Sequence, residues 1–171
     1  GYLNMRGRYI IETSDWEAVD LAPMDSAEGR HANWVAVVGM SAANLGNAEA
    51  AQAAEARLAA LSSAADRDFE KYMAKLLEHE VAALRLLEQG DADAAIERAR
   101  EASEIEVQYM RVPSGPPMPL KPAGELYADV LLATGNAGEA VQAYQRSLNW
   151  IPQRTPSLIG LAKAAEQAGE D

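Results

Sequence analysis

Apolar and polar positions along this chain alternate with a helical period, and the runs are broken at intervals by glycine. In "LYADVLLATGNAGEAVQAYQRSLNWIP", Leu126 to Pro152, one amphipathic run ends at Thr-Gly-Asn, a second starts at once, and Trp-Ile-Pro closes it. The same order recurs upstream: Gly46 and Gly90 are followed five residues later by Ala51 and Ala95, as Gly135 is by Ala140. The successive glycines Gly46, Gly90, Gly135 and Gly169 stand 44, 45 and 34 residues apart. Each glycine can take the left-handed conformation that ends a helix, and the Asn or Asp after it can cap the next. A small residue early in the second helix lets its partner come close, and Pro152, which lacks an N–H donor, ends that helix. The pattern predicts helical hairpins over about 1–22, 30–62, 66–108 and 121–150, with a terminal helix over 155–168.

Two intervals exceed 34, and each surplus has a place. "DRDFEKYMAKLLEHEVAALRLLEQG" carries Phe69, Tyr72, Met73, Leu76, Leu77, Leu84 and Leu87 largely on one stripe. It predicts a helix of roughly 24 residues, about 36 Å long, that projects beyond its neighbours. "MRVPSGPPMPLKPAGELY" holds five of the eight prolines and predicts an extended loop over 110–120, with helix from about Lys121. The loop reads as a connector packing Met118 and Leu120 on the helices, with a ligand-contacting flap as the alternative. "MRGRYIIETSDWEAV" reads as a degenerate hairpin whose second helix starts near Asp15, and "APMDSAEGR" as a loop. Trp16, Trp34 and Trp150 read as seals between hairpins, with Trp150 covering the last joint.

Composition supports an all-α chain, because alanine supplies much of the apolar half and Phe occurs once. With 26 acidic against 15 basic residues, a formal charge of −11 opposes nucleic-acid backbones and anionic membranes. Cysteine is absent, which removes disulfides, thiolate metal sites and Cys nucleophiles. No apolar run approaches the roughly 18 residues of a membrane span, so no membrane insertion is expected. The start "GYLNMRGRYIIET" lacks both an initiator Met and the order of a signal peptide, and it opens inside a helical run; it reads as part of a longer protein.

The chemistry is sparse. "LLEHEVAALR" resembles a zinc-binding helix, but Ala83 stands where a second His is needed, and His79 and Glu80 read as solvated. His31 is far off in sequence. The glycines of "ATGNAG" and "LGNAEA" mark helix breaks and lack a phosphate-binding lysine, and no serine sits in a Gly-x-Ser-x-Gly elbow. Glu101, Glu104 and Glu106 read as an exposed acidic face. These readings assign no catalytic residue, cofactor or metal, and the chain is not expected to be an enzyme.

From Lys121 to Asp171 the chain resembles the tetratricopeptide repeat, through Tyr127, Ala128, Leu131, Gly135, Ala140, Tyr144, Ser147 and Pro152, with Leu161, Ala162, Ala165 and Gly169 restarting the pattern. Residues 32–62 match more loosely through Trp34, Gly39, Ala42, Gly46 and Ala51. Nearly the whole chain is similar to the C-terminal part of a bacterial tetratricopeptide group of unassigned function, whose members are exported in many cases. The resemblance implies a bacterial origin, a periplasmic or cytoplasmic location, and a right-handed solenoid of antiparallel hairpins whose first helices line a concave groove. In that register the groove includes Asn33, Ala36, Met40 and Asn44; Glu80, Leu84 and Leu87; Glu125, Asp129 and Leu132; and Ile159, Lys163 and Glu166. Family members that clamp a carboxylate use Lys and Asn where Glu80 and Glu125 stand here. The implied function is a protein-interaction scaffold that takes a cationic or apolar peptide or helix in an acidic and apolar groove. Two alternatives stay open: a structural segment packed against further N-terminal repeats or a second copy in a homodimer, and a small-molecule-binding or accessory part of an enzyme.

Overall fold

The computed structural model describes residues 1–21, 26–110 and 119–169. Within them the chain is helical, with no strand. The eight helices of the described residues are α1 (Tyr2–Thr13), α2 (Ala32–Asn44), α3 (Ala48–Ala64), α4 (Asp68–Glu88), α5 (Ala92–Ile105), α6 (Ala123–Ala133), α7 (Ala137–Trp150) and α8 (Thr155–Ala168). A π-helical turn, Glu106–Met110, extends α5, and single 3-10 turns lie at Trp16–Ala18 and Glu28–Arg30.

The glycine breaks form as the sequence requires. Gly46, Gly90 and Gly135 have φ of +73°, +82° and +85°, a region that side chains disfavour. Each turn closes with one pair of bonds: at the first, Gly46 N–H donates to Ala43 O at 3.0 Å and Asn47 N–H to Ala42 O at 2.8 Å. Asn47 and Asp91 then cap the next helix through side-chain bonds to Ala50 N and Ala94 N, worth about 1 kcal/mol each. Asn136 turns away instead, its Nδ2 donating to Thr134 Oγ1 at 3.0 Å.

Small residues set the packing. Ala51, Ala95 and Ala140 are fully buried in the joins α2–α3, α4–α5 and α6–α7. A Cβ on Gly39 would lie 2.7 Å from Val81 and 2.8 Å from Ala54, so α2 meets both α3 and α4 closely. At the far end a Cβ on Gly160 would clash with the hydroxyl end of the Tyr144 ring, so α8 meets α7 closely. Each first helix touches its own partner and the next first helix: α2 meets α4, α4 meets α6, and α6 meets α8. One core runs from Ile10 of α1 through α2–α5 to Leu126 and Val130 of α6; a second, around Tyr144, joins α6, α7 and α8.

Several expectations need correction. Among the described residues between α1 and α2 there is no second α-helix, only the turns Trp16–Ala18 and Glu28–Arg30, and α1 packs on α2 with Gly7 against Val37 and Leu120. The long helix has 21 residues, about 32 Å, and the first turn from Asp68 to Lys71 is exposed, Phe69 included. Trp34 is buried, Trp16 half-buried and Trp150 41% exposed. On α8 the buried face is Ser157, Gly160 and Ala164, while Ala162 is exposed. Leu120 is buried. The loop at 22–25 and the proline-rich stretch 111–118, with Met118, lie outside the described residues. Among the described residues no helix is long and apolar enough to cross a membrane.

Candidate functional site

Met40 and Asn44 of α2, Leu84 and Leu87 of α4, and Asp129 and Val130 of α6 converge on one cleft of about 250 Å³. Helical spacing puts each set on one stripe, and the contacts α2–α4 and α4–α6 bring the stripes together. Ile11 and Ser14 at the end of α1, Trp16 and Lys121 complete the lining. The floor is apolar and the rim polar: Asn44 Nδ2 donates to Met40 O at 2.8 Å, and Lys121 Nζ meets Asp129 Oδ2 at 2.7 Å.

One turn from the cleft on α4 lies Glu80, and one turn from Asp129 on α6 lies Glu125; both are wholly buried. Glu125 is fully partnered. Lys121 Nζ reaches it at 3.1 Å, Arg154 gives Nε at 2.6 Å and Nη2 at 3.0 Å, and Ser157 Oγ donates to it. Burial works to raise its pKa, but Lys121, Arg154 and Ser157 outweigh that and hold it below the usual carboxylate range. Arg154 also meets Glu12 at 2.7 Å, tying α1 to the turn before α8. Asp129 accepts from the Tyr144 hydroxyl. Burial, and then the Asp129 carboxylate, raise the Tyr144 pKa. For Lys121 burial acts to lower the pKa, yet Asp129 and Glu125 prevail and raise it.

Glu80 differs. Neither carboxyl oxygen has a hydrogen-bond partner. Burial first, then the neighbouring Glu106 carboxylate, push its pKa well above the usual range against the opposing effect of Lys121. Burial thus favours the neutral acid form of this side chain more than it would for an exposed glutamate. Glu106 itself is buried and accepts from Ala123 N at 2.9 Å and Gly124 N at 3.0 Å, capping α6, whose preceding residue Pro122 offers no side-chain cap.

These placements overturn the solvated reading of His79 and Glu80. His79 is 5% exposed, with Nδ1 3.0 Å from Arg98 and 3.2 Å from Glu101; burial lowers its pKa against the pull of Glu101. They also overturn the exposed acidic face, since Glu106 is buried and only Glu104 stands fully outside. Asn33, at the far end of α2, is half-buried with an unpartnered Oδ1, and Ala36 is buried. Leu132 packs on the second core, while Ile159, Lys163 and Glu166 are exposed on α8; none of these lines the cleft. Reasoning from sequence missed Lys121, Glu106, Arg154 and Ser157. Lys121 carried a signal, standing one helical turn from Glu125 and two from Asp129; the others are far off in sequence and carried none.

Two larger depressions lie elsewhere, one of about 390 Å³ beside His31 and Phe69 and one of about 580 Å³ beside Val107 and Tyr127. Arg100 in the latter is already held by Glu97 and Glu104. Among the described residues no three His, Cys, Asp or Glu side chains stand together as metal ligands. Compared with protein-family models, curated proteins and solved structures, the chain matches none.

Proposed function

We propose that the chain is a tetratricopeptide-type stack of helical hairpins whose cleft between α2, α4 and α6 binds a peptide or a partner helix. The supporting observation is the convergence of Met40, Asn44, Leu84, Leu87 and Asp129, from three helices far apart in sequence, on one apolar-floored cleft with a polar rim. A floor of this kind gains by burying side chains, at about 25 cal/mol per Å² of apolar surface, and the rim orients what is bound.

The test is selection of peptides from a displayed random library on the intact chain, followed by fluorescence anisotropy. Leu87→Asp, at a half-buried position of the lining, is expected to weaken the selected peptides at least about tenfold, roughly 1.4 kcal/mol, while leaving the circular dichroism unchanged. Equal binding by this variant would refute the cleft as the binding face.

A further inference from the structure

We infer that the cleft between α2, α4 and α6 is a socket for one bulky apolar side chain presented by an uncharged stretch of the partner, and that positive charge plays no part in its selection. This deepens the peptide-binding reading and rests on it.

Charge decides first. A chain of −11 overall calls for a cationic partner, but that excess does not reach the lining. Among the described residues of the lining only Lys121 and Asp129 are charged, and +1 and −1 cancel. Both are already engaged. Lys121 Nζ meets Asp129 Oδ2 at 2.7 Å and Glu125 Oε1 at 3.1 Å, and the other Asp129 oxygen accepts from the Tyr144 hydroxyl. Helix ends are a second source of negative potential, since α2, α4 and α6 all finish near the cleft. Carbonyls of their last turns are taken up by the N–H groups of Gly46 and Asn47, of Gly90 and Asp91, and of Gly135 and Asn136, while Asn44 Nδ2 holds Met40 O. A lysine or arginine entering here would leave water for acceptors that already have donors, so its desolvation goes uncompensated.

Size decides next. A cleft of about 250 Å³ falls below the roughly 300–1,000 Å³ of small-molecule sites. It exceeds the roughly 150 Å³ in which an apolar cavity takes a benzene-sized ring, so one leucine, methionine or phenylalanine side chain fits. The lining agrees. Its buried members, Ile11, Met40 and Val130, are apolar, and Leu84 and Leu87 are half-buried. Met40, unbranched and polarisable, adapts to the shape of what enters. Four helices contribute, α1 through Ile11, which makes a socket for an inserted side chain rather than a track along one helix.

The probes are peptides selected from the displayed random library on the intact chain, each also made with its anchor replaced by alanine and by lysine. Wild type is expected to enrich Leu, Met or Phe at one position, with no preference for Lys or Arg. Either replacement should weaken binding at least about tenfold. Affinity should change less than about twofold between about 0.05 and about 0.5 M NaCl, because no ion pair is there to be screened, and sodium sulfate should strengthen it. Ala133→Leu, at an exposed position of the lining, takes up part of the socket. With circular dichroism unchanged, it should weaken those peptides at least about tenfold and shift a fresh selection to Ala or Val anchors. Enrichment of Lys or Arg, affinity that falls steeply with NaCl, or equal binding by Ala133→Leu would each overturn the inference. If such peptides were still lost with Leu87→Asp, the cleft would stand as a binding face and only the apolar anchor would fall. A concentration-dependent dimer in sedimentation that Leu87→Asp dissolves would also overturn it, with a second copy as the occupant. Failure to select any peptide would remove both readings.

Discussion

Glu80 and Glu125 hold the same place in successive hairpins, ten residues before the glycine that ends each first helix, and both are buried. Around Glu125 that place is furnished with Lys121, Arg154 and Ser157. Counted back from the matching glycines, the same three positions around Glu80 are Leu76, Leu120 and Ala123. In the first hairpin the equivalent of both glutamates is Ala36, itself buried. The fold therefore accepts alanine there, and it also accepts a carboxyl if three donors are brought with it. Glu125 ties α6 to α8 and, through Arg154, to α1; Glu80 ties nothing. One carboxyl is explained by its partners and the other is not.

The largest break in this comparison is expected at Glu125→Ala. Removing one member of a buried ionic set while Lys121 and Arg154 remain should cost about 3–5 kcal/mol, a fall in Tm on the order of 10 °C by calorimetry. If Tm fell no further than in a surface variant, the network would be no more than decoration. Gly160→Ala comes next. Its Cβ meets the ring of Tyr144, which is buried and held by Asp129, so overpacking of about 1–3 kcal/mol should appear in urea unfolding. An unchanged midpoint would refute the close approach of α7 and α8.

The finest distinction lies in pH. A carboxyl whose folded pKa stands above its unfolded value, near 4.5 for Glu80, contributes stability below that value and loses it as pH rises through the folded pKa. Glu125, with a lowered pKa, does the reverse and loses its contribution as pH falls. Glu80→Gln keeps Glu106, Lys121 and Glu125 in place, so their effects are common to both proteins. The Tm of the variant minus that of wild type should grow from pH 4 toward pH 8. A difference independent of pH would show that Glu80 is ionised in the folded chain as it is in the unfolded one.

How much was legible differs between the two ends. From Gly135 to Gly169 the sequence announces its structure: Gly135 turns, Ala140 and Tyr144 are buried on schedule, and the helix stops just before Pro152. Near the start, "MRGRYIIETSDWEAV" has the amphipathic period of a hairpin, yet only α1 and one turn form. No glycine stands at that break, and Ser14 takes the left-handed conformation instead, with φ of +55°. In the candidate site, the stripe Met40, Asn44, Leu84, Leu87 and Asp129 follows from helical spacing, while two partners of Glu125, Arg154 and Ser157, come from 29 and 32 residues away and have no local signature.

By itself, the sequence determined the helical class, the places where helices break, and which small residues lie between them, because left-handed glycine, capping and helical period act over a few neighbouring residues. Burial of charge was decided only by the tertiary structure. Read along α4, Glu80 belongs to a polar face; it is inside because α2, α3, α5 and α6 all pack against α4, and Glu106, Lys121 and Glu125 come near enough to act on it. Desolvation depends on what covers a group, and here the cover is assembled from segments that no local pattern relates.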